Sequence, residues 1–160
     1  MTVVSNTTPL NYLILIGQAD ILSKLYELVV IPEAVFNELT AQSTPQLVHE
    51  WIANKPDWLK VREAPATIVG EMEGIQIGER QAIALAQFIQ SDFVLLDDRR
   101  ARQIAKQWGI NVVGTLGVLA RAAQVGLIDL KDALAELRRT NFRASATLLE
   151  SVLTEDYESL

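Results

Sequence analysis

The chain has 160 residues, of which 49% are hydrophobic and 21% charged, a composition typical of one folded domain and not of a disordered chain. It contains no cysteine, which excludes disulfides and thiolate metal sites. Its formal net charge is −6, whereas proteins that bind nucleic acid by neutralising phosphates are usually basic. We therefore expect nucleic-acid binding only if the basic residues are concentrated on one face.

Short apolar segments alternate with amphipathic segments along the chain. In the first part of the chain, the patterns predict a strand at Thr2–Ser5, a helix with a threonine N-cap and Pro9 as its first residue, a helix at Ala19–Tyr26, a strand at Leu28–Ile31, a helix that begins at Pro32, a helix at Pro45–Ala53 and a strand at Trp58–Val61. An irregular stretch is predicted at Glu63–Ile77. After it, the patterns predict a helix at Ile77–Ile89, a strand at Phe93–Leu96, a helix at Arg99–Trp108, a strand at Ile110–Val113, helices at Leu116–Gln124, Leu130–Arg138 and Ala144–Leu153, and a fraying acidic end from Glu155. This alternation predicts a parallel sheet covered by helices on both faces.

Polar side chains follow three of the predicted strands. Asn6 comes after the first strand, Asp97 and Asp98 come after the strand that begins at Phe93, and Thr115 comes after the last one. Because sites in open α/β sheets form beyond the carboxyl ends of the strands, we expect these side chains to lie at one end of the sheet.

Two helical glutamates are further candidates. Glu79 lies in the first turn of its predicted helix, on the apolar stripe, where a carboxylate is costly unless it is paired or bound to a metal. Glu38 lies near the end of its helix, where the helix dipole disfavours a negative charge. Carboxylate oxygens are the ligands that Mg²⁺ and Mn²⁺ prefer, and two such ions about 3.5–4 Å apart can cut a phosphodiester.

Each candidate also has a purely structural interpretation. Asp97 or Asp98 could be the N-cap of the helix that follows, and Glu79 could be a first-turn acid that favours the helix dipole. Asn6 could be a turn residue that bonds its neighbouring backbone. Thr115 is a candidate hydroxyl for contact with the substrate or a partner, and its structural interpretation is a plain N-cap. From the residues alone, Glu38 fits a solvated flank of its helix better than a ligand.

A basic run follows the two aspartates. Arg99, Arg100 and Arg102, with Lys106, are predicted to share one helix beside Asp97. The structural interpretation is a solvated helix face. The functional interpretation is contact with an RNA phosphate or with an acidic segment of a partner, because arginine suits both.

Five segments of the chain resemble a known family. They are VVSNTTPLNYL, VIPEAVFNEL, IGERQAIALA, VLLDDRRAR and GINVVGTLGVL, and together they extend to about residue 126. In this order they resemble the PIN-like domain family, in particular its branch related to VapC-type toxins. The residues from about 129 onwards resemble the helical tail of that branch, so we expect a single PIN-like domain over residues 1–160.

The resemblance implies a three-layer α/β/α sandwich with a central, mostly parallel sheet of four to five strands. It also implies a ribonuclease centre that uses Mg²⁺ or Mn²⁺. Its metal positions correspond here to Asn6, Glu38, Glu79, Asp97 and Asp98, of which the four acids would be catalytic. Members of the branch act on RNA, are blocked by a small antitoxin protein and are frequently homodimers.

One residue departs from the family pattern. Family members usually carry aspartate where this chain has Asn6, and asparagine removes one negative charge. Two functions therefore stay open: an active toxin-type endoribonuclease, and a catalytically weakened module that acts through RNA or protein partners. A phosphotransfer domain with Asp97 as nucleophile is a third, weaker hypothesis. The apolar runs are too short to span a membrane and the first residues do not form a secretory signal, so we expect a cytoplasmic protein.

Overall fold

The structure is a computed structural model that describes residues 1–66 and 72–153. The strands are β1 (Thr2–Ser5), β2 (Leu28–Pro32), β3 (Leu59–Arg62), β4 (Phe93–Leu95) and β5 (Val112–Val113). The helices are α1 (Thr7–Leu15), α2 (Ile21–Leu25), α3 (Glu33–Leu39), α4 (Gln46–Ala53), α5 (Ile77–Ile89), α6 (Arg99–Gln107), α7 (Thr115–Gln124), α8 (Leu130–Arg138) and α9 (Ala146–Leu153).

Within these ranges, the strands form one parallel sheet in the order β3-β2-β1-β4-β5. The central strand β1 pairs on both sides, so that Val4 lies opposite Val30 of β2 and Val94 of β4. The predicted α/β class with a parallel sheet of four to five strands is confirmed.

Helices cover both faces of the sheet, and each face has its own hydrophobic core. Alternate strand residues point to opposite faces, so Val3 belongs to one core and Val4 to the other. The larger core includes buried residues of α1, α2, α3, α4, α7, α8 and α9. The smaller core includes buried residues of α5 and α6. The two cores and the sheet between them make the three layers of an α/β/α sandwich.

The strand order reverses between β1 and β4. From β1 the chain continues to β2 and β3 on one side of the sheet, whereas β4 continues to β5 on the other. The loops that leave β1 and β4 therefore diverge and open a crevice at the carboxyl end of the sheet. Asn6 follows β1 there, and its backbone N–H donates to the carbonyl of Leu95 at 3.0 Å.

Two predicted helix starts are wrong. Helix α1 begins at Thr7 with Asn6 as N-cap, two residues before the predicted start at Pro9. Pro9 still lies in the first turn, where its missing N–H costs no helical hydrogen bond. Helix α7 begins at Thr115 with Gly114 as N-cap, so Thr115 is not the N-cap.

Other predicted bounds differ by two residues or fewer at most ends. Helix α2 is shorter than predicted, and β5 starts at Val112 instead of Ile110. Part of the irregular stretch from Glu63 to Ile77, and the acidic end from Glu155, lie outside the described residues. Among the helices of the described ranges, none has the length and apolar character needed to span a membrane.

Candidate functional site

Asn6 lies at the start of the crevice, and its side-chain oxygen has no hydrogen-bond partner among residues 1–66 and 72–153. The residue is 4% exposed, and its Oδ1 is a buried atom that no described group contacts as a donor. An asparagine at an N-cap normally accepts a backbone N–H of the first helical turn, but this one makes no such bond. The structural interpretation of Asn6 as a residue that bonds its neighbouring backbone is therefore not what the structure shows.

Glu38 approaches the same point from α3. The hydroxyl of Thr7 donates to Oε2 of Glu38, which fixes the carboxylate against the first turn of α1. A Cβ placed on Gly78 would lie 2.6 Å from Oε1 of Glu38 and 3.3 Å from Oδ1 of Asn6. The two oxygens therefore face the same small space beside the first turn of α5, and only a glycine leaves that space open.

Glu79 and Asp98 add negative charge next to this space. Burial raises the pKa of Glu79 above its ordinary value, and the nearby carboxylates of Asp98 and Glu38 raise that pKa further. Glu79 also accepts the backbone N–H of Gln76 at 3.3 Å, so it caps α5 as well. We call Asn6, Thr7, Glu38 and Glu79 the Glu38 group.

Asp98 caps a helix, as its structural interpretation predicts. It is the N-cap of α6, and its Oδ2 accepts the backbone N–H of Ala101 at 2.9 Å. Its side chain is exposed. The electrostatic effect on Glu79 nevertheless places its charge near the Glu38 group.

Asp97 lies in a different setting, among hydrogen-bond donors. Its Oδ1 accepts the backbone N–H of Thr115 at 2.8 Å, and its Oδ2 accepts the Thr115 hydroxyl at 2.5 Å. Burial raises the pKa of Asp97, while the two bonds from Thr115 and the guanidinium of Arg102 oppose that rise. We call Asp97, Arg102 and Thr115 the Asp97 group.

The structure thus brings the sequence candidates to one end of the sheet but divides them into two groups. Within residues 1–66 and 72–153, no three acidic or histidine side chains lie close enough to hold one ion together. The Glu38 group still fits a divalent ion, because an unpartnered amide oxygen and a carboxylate oxygen converge there. Mg²⁺ usually keeps several waters and takes only one or two carboxylates from the protein, so a small donor set is sufficient.

The basic run does not form one free face. Arg100 donates to the carbonyl of Glu73 from Nε at 3.1 Å and from Nη2 at 2.7 Å. Arg102 donates to the carbonyl of Leu96 at 2.9 Å and faces Asp97. Arg99 is exposed. Two of the three arginines predicted to contact a substrate or partner are therefore held against the protein's own backbone.

Several residues of this region escaped the sequence analysis. Thr7 and Gly78 lie within the quoted segments VVSNTTPLNYL and IGERQAIALA, so the motifs contained a signal for them. Tyr12 lies in the first of these segments too, but nothing in that segment indicates its long-range contacts. Arg143 lies outside all five segments and had no signal, because it reaches this region across more than a hundred residues of the chain. The hydroxyl of Tyr12 donates to Oδ1 of Asn141 at 2.8 Å, and the neighbouring Arg143 lines a cavity beside Asp97.

Comparison with known proteins identifies one family. The model of a family described as a PIN domain matches residues 2–158, which is nearly the whole chain. Neither a curated protein nor a solved structure matches the chain significantly.

Proposed function

The chain belongs to the PIN-domain family, and from this premise we propose that it is a metal-dependent endoribonuclease of the toxin–antitoxin type. PIN domains have a nuclease-type fold, generally bind divalent metals and commonly act on RNA. The resemblance of the five quoted segments to the VapC-type branch supports the more specific assignment. It also supports a small antitoxin as partner, a homodimer and a cytoplasmic location as parts of the same proposal.

The observation that carries the proposal is the convergence of Asn6 and Glu38. A buried oxygen without a partner costs about 1–3 kcal/mol, so it is stable only if something else compensates it. Oδ1 of Asn6 is such an atom, and it faces the space that Gly78 leaves open beside Glu38. A hard cation with its waters is the ligand that an amide oxygen and a carboxylate would hold together.

The chain's own residues have distinct roles in this proposal. Asn6 and Glu38 hold Mg²⁺ or Mn²⁺, and the hydroxyl of Thr7 orients Glu38. Glu79 and Asp98 add negative charge beside them, which would help to hold the ion. A bound divalent ion supplies a water of lowered pKa and stabilises the charge of the phosphodiester. Asp97 acts as a further carboxylate at the other side of the crevice.

A cleavage assay tests this function. The purified protein, free of any antitoxin, is incubated with single-stranded RNA and Mn²⁺, and the variant Glu38→Gln is compared with Glu33→Gln. Both glutamates lie on α3, but Glu33 is exposed in the first turn. We expect Glu38→Gln to lower the cleavage rate by about 100-fold or more, as for the loss of a ligand to a catalytic ion. Equal rates for the two variants would contradict the proposed site.

The alternative is a PIN domain that has lost most of its catalytic power and acts by binding. The presence of Asn6 in place of the usual aspartate favours it, because one ligand charge is missing. A protein that binds RNA but does not cleave it with Mg²⁺ or Mn²⁺ would establish this alternative.

The variant Asn6→Asp tests whether Asn6 belongs to the proposed metal site. A third carboxylate beside Glu38 and Glu79 repels them in the metal-free protein but adds a charge to the ion's ligands. We expect Mn²⁺ affinity to rise by about tenfold, and the metal-free protein to lose about 1 kcal/mol of stability. Calorimetric titration and urea unfolding in EDTA measure the two effects. An equal or weaker affinity for Mn²⁺ would remove Asn6 from the site.

A further inference from the structure

A cavity of about 200 Å³ lies beside the Asp97 group. Its polar lining includes Asp97, Arg102 and Arg143, and its apolar lining includes Phe142 and Leu148. Pockets for drug-sized ligands usually have about 300–1,000 Å³, so this cavity is suited to a smaller group. It shares Asp97 with the crevice, which makes it an extension of the proposed active site and not a separate pocket.

The wall of the cavity comes from the segment between α8 and α9, which α1 holds in place. Besides its hydrogen bond to Asn141, the ring of Tyr12 meets Phe142 edge to face, with centroids 5.0 Å apart and planes at 82°. Such contacts contribute about 0.5–1.5 kcal/mol beyond burial. Arg143 follows directly, so its position depends on α1, whose N-cap is Asn6.

Positive charge predominates in this cavity although the whole chain is acidic. Burial raises the pKa of Tyr12, Asp97 raises it further and Arg143 opposes the rise, so both charges act on the same hydroxyl. Asp97 already accepts two hydrogen bonds from Thr115 and faces Arg102. Two arginines against one carboxylate leave an excess of one positive charge, in a protein whose formal charge is −6.

We propose that this cavity binds a phosphate group of the RNA strand outside the proposed metal site, with Arg143 as its principal ligand. The inference rests on the proposed nuclease function and extends it to a residue outside the metal site. Arg143 is exposed at the cavity and carries donors that suit a phosphate. Phe142 and Leu148 offer apolar surface to the attached sugar or base.

RNA is favoured over an acidic peptide as the occupant because the cavity continues the crevice. Asp97 follows β4 at the crevice and also lines the cavity, so an RNA strand that lies in the crevice would enter the cavity beside Asp97. The wall formed by residues 141–143 would then set how the strand leaves the site. Arg143 is a positioning residue in this scheme, since it contacts the substrate away from the reacting atoms.

The test is RNA binding without metal, so that cleavage does not interfere. A fluorescent single-stranded RNA octamer is titrated in EDTA with the wild-type protein, with Arg143→Ala and with Arg138→Ala, at several salt concentrations. Arg138 is exposed near the end of α8 and gives the same loss of charge. We expect Arg143→Ala to weaken binding by about tenfold and to reduce the salt slope by about 0.7, the value for one phosphate of a single strand. Arg138→Ala should resemble the wild-type protein.

The outcomes separate this inference from the proposed function. Equal binding by the two variants, or no binding by the wild-type protein, would overturn it even if cleavage depends on Glu38. A loss of RNA binding confined to Arg143→Ala would support it even if no metal promotes cleavage. In the same titration, hexaglutamate is added as competitor. Displacement of RNA from the wild-type protein by an equal concentration of hexaglutamate would show that the cavity takes carboxylates, and would overturn the assignment to RNA.

Discussion

The Glu38 group and the Asp97 group lie at the same end of one sheet, yet their electrostatic settings are opposite. The Glu38 group collects like charges and an oxygen without a partner. The Asp97 group combines its carboxylate with an N–H, a hydroxyl and a guanidinium. The half-buried carboxylates of the first group lie among like charges, so a cation from outside would stabilise them, whereas the buried carboxylate of the second group is stabilised by the protein itself. A bound cation would therefore add more stability at the Glu38 group than at the Asp97 group.

The largest effect on stability is expected when Asp97 loses one of the hydrogen bonds that stabilise its negative charge. Thr115→Val deletes the hydroxyl that donates to Oδ2 of Asp97, and Thr115→Ser keeps it. A hydrogen bond to a charged group contributes about 1.5–3 kcal/mol, so the valine variant should lose about 2 kcal/mol of stability at pH 7 in EDTA. The hydroxyl stabilises the ionised form of Asp97 more than the protonated form, so the loss should shrink as the pH falls and Asp97 is protonated.

Urea unfolding at pH 7 and near the acid limit of the folded state measures both parts of this prediction. The serine variant serves as control and should stay close to the wild-type protein. A loss for Thr115→Val that is independent of pH would mean that the threonine acts by packing alone, and the contrast between the two groups would disappear.

A smaller effect is expected at Gly78, and it should appear in metal binding and not in folding. Gly78→Ala inserts a methyl group 2.6 Å from Oε1 of Glu38, so the carboxylate must turn away from Asn6. Alanine in a helix is favoured over glycine by about 1 kcal/mol, which offsets the crowding. We expect nearly unchanged stability in EDTA and a Mn²⁺ affinity lower by about tenfold.

A double-mutant cycle supplies the control for Gly78. In a Glu38→Ala background the methyl group has no carboxylate to displace, so Gly78→Ala should then stabilise the protein and leave its weak Mn²⁺ binding unchanged. If the two substitutions have additive effects on Mn²⁺ affinity, Gly78 does not act through Glu38.

The smallest effect concerns another unpartnered buried atom, the hydroxyl of Tyr26 at the opposite end of the sheet. In the part of the chain that the structure describes, no group of acidic or histidine side chains could hold an ion there. Removing this hydroxyl should therefore relieve an uncompensated burial, and Tyr26→Phe should gain about 0.5 kcal/mol of stability. Burial raises the pKa of Tyr26 above its ordinary value of 10.0, although Arg121 opposes the rise. Above that pH the unfolded chain loses a proton that the folded protein retains, so wild-type stability falls and the advantage of phenylalanine grows.

Urea unfolding at about pH 8 and about pH 10.5 tests this last prediction. The two pH values bracket the ordinary pKa of tyrosine. A stability difference that stays constant between them, or a loss for Tyr26→Phe at pH 8, would show that the hydroxyl is compensated by bound water.

Much of the fold followed from local patterns. Helix α5 has the predicted bounds Ile77–Ile89 and α8 the predicted bounds Leu130–Arg138. Their apolar periodicity is strong, and such periodicity depends only on neighbours within a few turns. The start of α1 was predicted wrongly because the extended backbone of Asn6, set by its bond to β4, ends the strand and opens the helix two residues earlier.

The sequence by itself determined that strands alternate with helices and that polar side chains follow β1 and β4, because parallel strands place their carboxyl ends together. Only the tertiary structure decided which oxygens meet. Glu38 faces Asn6 across 32 positions of the chain, Thr115 donates two hydrogen bonds to Asp97, and Arg143 reaches the cavity from between the last two described helices. Side-chain direction and long-range packing set these contacts, and neither leaves a periodic signal in the residues that make them.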